Sequence, residues 1–330
     1  MAAAVREVAG RSPRPVPVPV LTVLMSEADR RRARAAPGAG APPVYEYPEE
    51  AALALGRVAR YAEWRRLPAG RVPDLPGVRP ERAATLLSAT AMAGPGWLEP
   101  TRVEELFACY GLPLVETLAA ADPRAAGEAA RRIGGPVALK AVAPGLVHKT
   151  DAGAVRLGLA GAETVALAAD QMRERLAALG HRVDGFLVQP ETRGEVEMLV
   201  GVSADPHFGP VVACGLGGTA AEVHRDVAVR LTPLTDLDAR RMIRELRTFP
   251  LLLGHRGAPP CDVGALEQVV LRVAAMAQAH PQIAELDCNP VAVSPDGAVI
   301  LDARVRVAPP AEPRPWPSLG APPPPVPAAE

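Results

Sequence analysis

The hydrophobic pattern is sparse over the first seventy residues and regular after about residue 100. "VPVPVLTVLM" predicts a short strand over 18–25, and "PEEAALALGRVARYAEWRR" an amphipathic helix. The basic run between them, "EADRRRARAAPG", reads as a solvated helix face or loop. "LPAGRVPDLPGVRP" has the proline and glycine content of a linker. Thr101 and Glu104 carry capping-box spacing at the head of "RVEELFACY", which Gly111 would end. Asp122–Pro123 opens a second helix that runs to Gly134. "PVALKAV" and "AVRLGL" read as strands, and "AETVALAADQMRERLAALG" as a long helix stopped at Gly180. Strands follow at "GFLVQP", "EVEMLVGV" and "PVVACGL", then helices near 236–248 and 263–280. A last hairpin joins "IAELDCNPVAV" to "AVILDARVRV" through the turn "SPDG". The mixture predicts an α/β or α+β chain in two lobes joined around Gln189.

Composition narrows the class. A chain of 330 residues has room for two or three domains, and 48% hydrophobic residues suffice for sizeable cores. Its net charge of −1 argues against a nucleic-acid partner, which needs a clustered basic face. Cys109, Cys214, Cys261 and Cys288 lie far apart, as reduced buried thiols do in a cytoplasmic protein. No apolar run approaches the ~18 residues of a membrane span, so no membrane association is expected. The proline-rich tail after residue 308 is expected to be disordered.

Five places carry candidate chemistry. In the last hairpin, a four-residue turn at Ser294–Gly297 makes Val293 face Ala298, Val291 face Ile300 and Asn289 face Asp302. Asn289 and Asp302 then share one sheet face with Cβ atoms about 4.5–5.5 Å apart. An amide oxygen and a carboxylate so placed can share a hard cation such as Mg²⁺; the alternative is a turn asparagine beside an ordinary surface carboxylate. Asp287 projects to the same side, opposite Arg304. Lys140 sits mid-strand in an apolar run, either paired with an anion such as phosphate or snorkelling at a strand edge. His148 and Lys149 follow in a glycine-containing loop, where an idle exposed histidine is the bland reading. "GLGGTAAEV" follows a strand, and the amides of Gly217 and Gly218 could meet phosphate; the motif is weak. Gln189, Glu195 and Glu197 fall between two strands, where polar strand-edge residues are common. Lys140 and Lys149 are the only lysines among 36 basic residues, and Asn289 is the only asparagine.

Taken in order, "LKAVAPGLVHKTDAG", "FLVQPETRGEVEMLVGVSADPHFGPVVACGLGGTAAEV", "DVAVRLTPL" and "AELDCNPVAVSPDGAVILDARV" resemble the ATP-grasp part of ADP-forming acyl-CoA (acetate–CoA ligase) synthetases, relatives of succinyl-CoA synthetase. The resemblance implies a small lobe over 96–187 and a large lobe over 188–308, with a linker at 71–95 and a tail at 309–330. It implies that Lys140 holds ATP or ADP phosphates, with Lys149, Gly217 and Gly218 nearby. Val188 and Gln189 would meet the adenine, chiefly through backbone groups, and Glu197 the ribose. Asn289 and Asp302 would bind Mg²⁺. His148 matches a histidine proposed in that family as a second phosphate carrier, and Asp287 an acidic position near the primary phosphohistidine.

The stretch 14–67 resembles only the closing strand and helix of an upstream flavodoxin-like CoA-ligase domain, a remnant over 1–70. No histidine precedes His148. The expectation is therefore an acid–thiol ligase component that needs an alpha-like subunit with the CoA-binding and phosphohistidine domains. The rival is a truncated nucleotide-binding remnant or regulatory partner without turnover.

Overall fold

The computed structural model describes residues 19–35, 43–91, 94–144, 152–192, 196–218, 226–255 and 257–310. The chain divides into two compact units, Met1–Ala69 and Gly70–Glu330. Among the described residues no helix is long and apolar enough to cross a membrane.

The first unit contains β1 (Thr22–Val23), α1 (Glu27–Ala35), β2 (Val44–Tyr45) and α2 (Pro48–Arg66). One strand was expected from its sequence; β1 and β2 instead form a parallel pair, Thr22 opposite Val44. The basic run is helical, with Glu27 and Asp29 in its first turn, where acidic groups complement the positive end of the helix. Ala51 is the buried residue of α2, and Leu53, Val58, Tyr61 and Trp64 stand exposed along it.

The second unit has two cores. A small one is built on the sheet order β4 (Leu118–Ala120), β7 (Gly185–Pro190), β5 (Val137–Val142), β6 (Val155–Leu159). Helices α5 (Pro123–Ile133) and α6 (Ala162–Ala178) supply the rest of that core, through residues such as Ala126, Ala130, Val165, Met172 and Leu176. Asp122 caps α5 by accepting from the Ala125 N–H at 2.8 Å, as the Asp-Pro signal foretold.

The larger core lies under a sheet ordered β10 (Val227–Leu231), β9 (Gly209–Leu216), β8 (Val196–Asp205), β11 (Ile283–Ser294), β13 (Ala303–Val307), β3 (Gly96–Trp97), with β12 (Gly297–Ile300) also paired to β11. Helices α7 (Asp236–Arg244), α8 (Phe249–Leu252) and α9 (Val263–Ala279) contribute to this core. The even-numbered side chains Met198, Val200, Val202, Val212 and Cys214 are buried in it, so the odd positions of β8 and β9 turn to the other face.

Four boundaries differ from the sequence reading. Pro80–Ala91, inside the supposed linker, is a helix (α3) whose Ala83 and Leu87 are fully buried. Its apolar residues pack against the large core, and that packing outweighs the flanking prolines and glycines. Strand β3 pairs with β13, and α4 (Pro100–Tyr110) puts Leu106, Phe107 and Tyr110 into the large core. The small lobe therefore spans 118–190, not 96–187. Thr101 is not a cap, because α4 starts at Pro100 after Glu99, whose side chain makes no capping bond. Proline fits the first helical position, having no N–H to satisfy and a φ already set. Strand β10 lies in "DVAVRLTPL", whose strand character the sequence reading passed over. The tail from 311 lies outside the described residues.

Candidate functional site

The hairpin register fixes the site. Val291 faces Ile300 and Val293 faces Ala298, and on the far side of Asn289 the same register continues, with Asp287 opposite Arg304. The Asn289 N–H donates to the Asp302 carbonyl at 3.1 Å, which places these two residues directly across from one another. A bulge does occur between Cys288 and Val291, on the β8 side of β11, and leaves the hairpin pairing intact.

The glycine turn after β9 closes on this pair. The Gly218 N–H donates to Asn289 Oδ1 at 3.0 Å, and the Gly217 N–H donates to the Glu197 carbonyl at 2.9 Å. A Cβ on Gly217 would collide with the Met198 carbonyl; one on Gly218, at φ +65°, would fall on the Glu197 carboxylate. Both positions therefore exclude a side chain for packing reasons, and Gly218 for a backbone reason as well.

Lys140 reaches the same place from the small lobe. It is 8% exposed, and its Nζ donates to the Leu301 carbonyl at 2.8 Å, one residue from Asp302. Both sheets also line one cleft of about 290 Å³. Leu187, Gln189 and Thr117 come from the small-lobe side, and Leu301, Asp302 and Arg304 from the hairpin. The Gln189 amide donates to Thr117 Oγ1 at 2.9 Å. Val188 differs from its neighbours: its side chain is fully buried in the small core. Glu197 is exposed, opposite Ala292. His148, Lys149 and Glu195 lie outside the described residues.

Burial raises the Asp287 carboxyl above the usual carboxylate range; Arg304 opposes that shift, while Asp302 and Glu285 add to it. Glu104 also lines the cleft, and burial raises its carboxyl. Glu104 was legible only as a capping partner. Its true place required knowing that Pro100 starts α4. Thr117 and Trp97, which line the same cleft, had no signal in the sequence beyond their proximity to predicted elements.

Among the described residues no three His, Cys, Asp or Glu side chains cluster around a metal position. The donors suited to a hard cation are instead the Asn289 amide oxygen, oriented by the Gly218 N–H, and the Asp302 carboxylate opposite it. Two oxygens, leaving room for water and phosphate oxygens, fit Mg²⁺.

A family model described as an ATP-grasp domain matches residues 89–307. The chain belongs to the ATP-grasp family. Its relatives include the beta subunit of ADP-forming acetate–CoA ligase I from Pyrococcus furiosus, 33% identical over 63% of this chain and 90% of that subunit. The ADP-forming 4-hydroxybutyrate–CoA ligase of Nitrosopumilus maritimus is 32% identical over 81% of this chain. The ATP-grasp chain spans only 38% of that relative's length. Among solved structures, a dinucleotide-forming acetyl-coenzyme A synthetase 1 from Ca. Korarchaeum cryptofilum superposes with a TM-score of 0.64 and 35% identity, covering 68% of this chain and 99% of that one. It was solved with coenzyme A and Ca-AMPCP. A second complex of the same enzyme, with Mg-AMPPCP, has its phosphohistidine segment pointing towards the nucleotide-binding site.

Proposed function

We propose that this chain is the nucleotide-binding component of an ADP-forming acyl-CoA synthetase, acting in the reaction acyl-CoA + ADP + phosphate ⇌ acid + CoA + ATP with an alpha-like partner. The observation that carries the proposal is the bond of the Lys140 ammonium, from one lobe, to the Leu301 carbonyl of the other, one residue from Asp302 of the Asn289–Asp302 pair. Such a cleft places positive charge and oxygen donors where a triphosphate can lie between two sheets.

In this reading Lys140 trades the Leu301 carbonyl for phosphate oxygens. A compact ammonium with three rotatable donors can follow a phosphate as it moves, which a planar guanidinium cannot. The retention of lysine at this position in an arginine-rich chain has that cause. Asn289 and Asp302 would hold Mg²⁺, which supplies charge neutralisation on the phosphates when bound. Gln189 and Thr117 line the adenine end, Val188 supplies its rigid backbone support, and Glu197 meets the ribose. The Gly217 and Gly218 amides, expected from the sequence to meet phosphate, are spent on the Glu197 carbonyl and on Asn289 Oδ1, so these two glycines serve the site by shaping the turn and orienting Asn289.

Phosphoryl transfer needs mainly positioning and charge neutralisation. The N–P bond of the partner's phosphohistidine would break as an N–P bond to His148 forms, and that bond would break in turn as an O–P bond to ADP forms, each freed ring nitrogen keeping the electron pair and taking up a proton. Asp287, whose carboxyl burial shifts upward, orients the imidazole. His148 relays the phosphoryl group, with Lys149 following it.

The test is calorimetry of ATP and ADP with and without Mg²⁺. Asn289→Ala and Asp302→Ala should each weaken Mg²⁺-dependent binding by about tenfold or more, since each removes a charge-assisted or metal contact. Equal affinity in both variants, or binding indifferent to Mg²⁺, overturns the assignment.

A further inference from the structure

The large sheet presents one continuous face that the nucleotide cleft occupies only in part. Across that face the register aligns Arg304, Asp287, Gly201, Ala213 and Val229 in a single row. A parallel row ends at Leu231 and a third at Val227. The first two rows begin in charged residues, at Arg304–Asp287 and Arg306–Glu285, and end on β10, an edge strand; the third stops at Leu199, where the bulge interrupts the register. Val227, Val229 and Leu231 are 46%, 55% and 49% exposed, while Ala228 between them is buried. On the other side of the strand Arg230 is clamped by both oxygens of Glu245, at 2.8 and 2.7 Å, so the strand cannot turn its apolar side inward.

An exposed apolar edge strand is normally blunted by charge or proline. Here the strand's charge, Arg230, lies on the opposite side and is held by Glu245, and the floor leading from Val229 to Asp287 carries Gly201 and Ala213. We infer that this strip docks the polypeptide segment of a partner that carries the histidine, with the imidazole at Asp287 and apolar flanking side chains on Val227, Val229 and Leu231. The inference rests on the ligase reading above. Two features select this occupant. The strip is continuous with the phosphoryl site, and the carboxylate end suits an imidazole that gains positive charge. Three strand spacings separate Asp287 from Val229, about 14 Å. An extended segment crosses that distance in about four residues, so the partner's apolar anchor lies about four residues from its histidine.

The experiment measures phosphoryl transfer to ADP from a phosphohistidine-labelled alpha-like subunit encoded in the same genome. The full chain is compared with Val229→Glu, Leu231→Glu and the isosteric Val229→Thr, each first shown to bind ATP as the wild type does. Leu157→Glu, at another exposed apolar strand position, is the control. The two glutamate variants should raise the KM for the partner about tenfold with kcat at saturation little changed, Val229→Thr should raise it less, and Leu157→Glu should not raise it. Wild-type kinetics in all three strip variants would overturn the docking face alone. A wild-type chain that accepts no phosphoryl group, while still binding ATP, would overturn the ligase reading and the docking face together. Self-association abolished by Val229→Glu with transfer untouched would assign the strip to a second copy and overturn the proposal.

Discussion

Helices α2 and α9 are of similar length, 19 and 17 residues, yet they are held by different forces. Helix α9 is capped by Asp262, which accepts from the Ala265 N–H at 2.9 Å, and buries eight residues in the large core. Helix α2 has no side-chain cap and buries Ala51, while Tyr61 and Trp64 stack on each other at 5.7 Å. Both sequences have enough helix formers to coil. In proteins most helical stability comes from packing an amphipathic face against the rest of the structure, not from propensity alone. The difference teaches that the apolar content of a helix does not reveal whether it has anything to bury against.

The comparison can be broken most forcefully in α9. Leu266 is fully buried, and Leu266→Ala should cost about 2–5 kcal/mol through lost transfer and a residual cavity. Chemical denaturation of the full chain, followed by a probe in the second unit, would show it; a loss under about 1 kcal/mol would mean that the site collapses freely.

A subtler effect sits at the C-terminal end of the same helix. His280, 2% exposed, has Nε2 2.8 Å from the Tyr110 hydroxyl. Burial lowers the imidazole pKa and pushes the Tyr110 phenol up to about 12, with Cys109 and Glu81 adding to the rise. The buried ring is favoured neutral, so its contribution is whole above the unfolded pKa of about 6.5. As pH falls below that value the unfolded chain takes up protons that the folded one refuses, and stability declines. Tyr110→Phe should cost about 1 kcal/mol at neutral pH. His280→Gln should flatten the decline below about pH 6.5; an unchanged slope would show that the decline arises elsewhere.

The smallest effect belongs to α2. Val58→Ser, at a position 61% exposed, should change stability within about 0.5 kcal/mol. A larger loss, measured by thermal unfolding of the full chain, would show that this helix has a covering in solution.

Much of this architecture was legible because local chemistry and tertiary demand agreed. The Asp122–Pro123 start, the Gly111 stop with its left-handed φ of 59° and the Ser294–Gly297 turn each rest on residues whose own geometry dictates the element. The hairpin register, read from its turn, placed Asn289 opposite Asp302 before any packing was known. Helix α3 was hidden because prolines and glycines flank it, and only Ala83 and Leu87 meeting the large core reveals it. Strand β10 was hidden because its outward residues are apolar where a surface strand would be polar. Lys140 was legible as an anomaly, a charge in an apolar strand. Its partner was not, since nothing local links it to a carbonyl 161 positions away.

The hairpin register has a further consequence for how this chain can vary. From Asp287 to Arg304 one unbroken count of residues sets which side chains face the cleft. Surface connections elsewhere can lengthen at little thermodynamic expense. Between Ser294 and Gly297 a single inserted residue, unless absorbed as a bulge, would carry Asp302 out of line with Asn289, because neighbouring strand positions point to opposite faces. The tight turn, far from any reacting atom, is therefore the ruler by which the site is spaced, and homologous chains should tolerate substitutions there far more readily than a change in length.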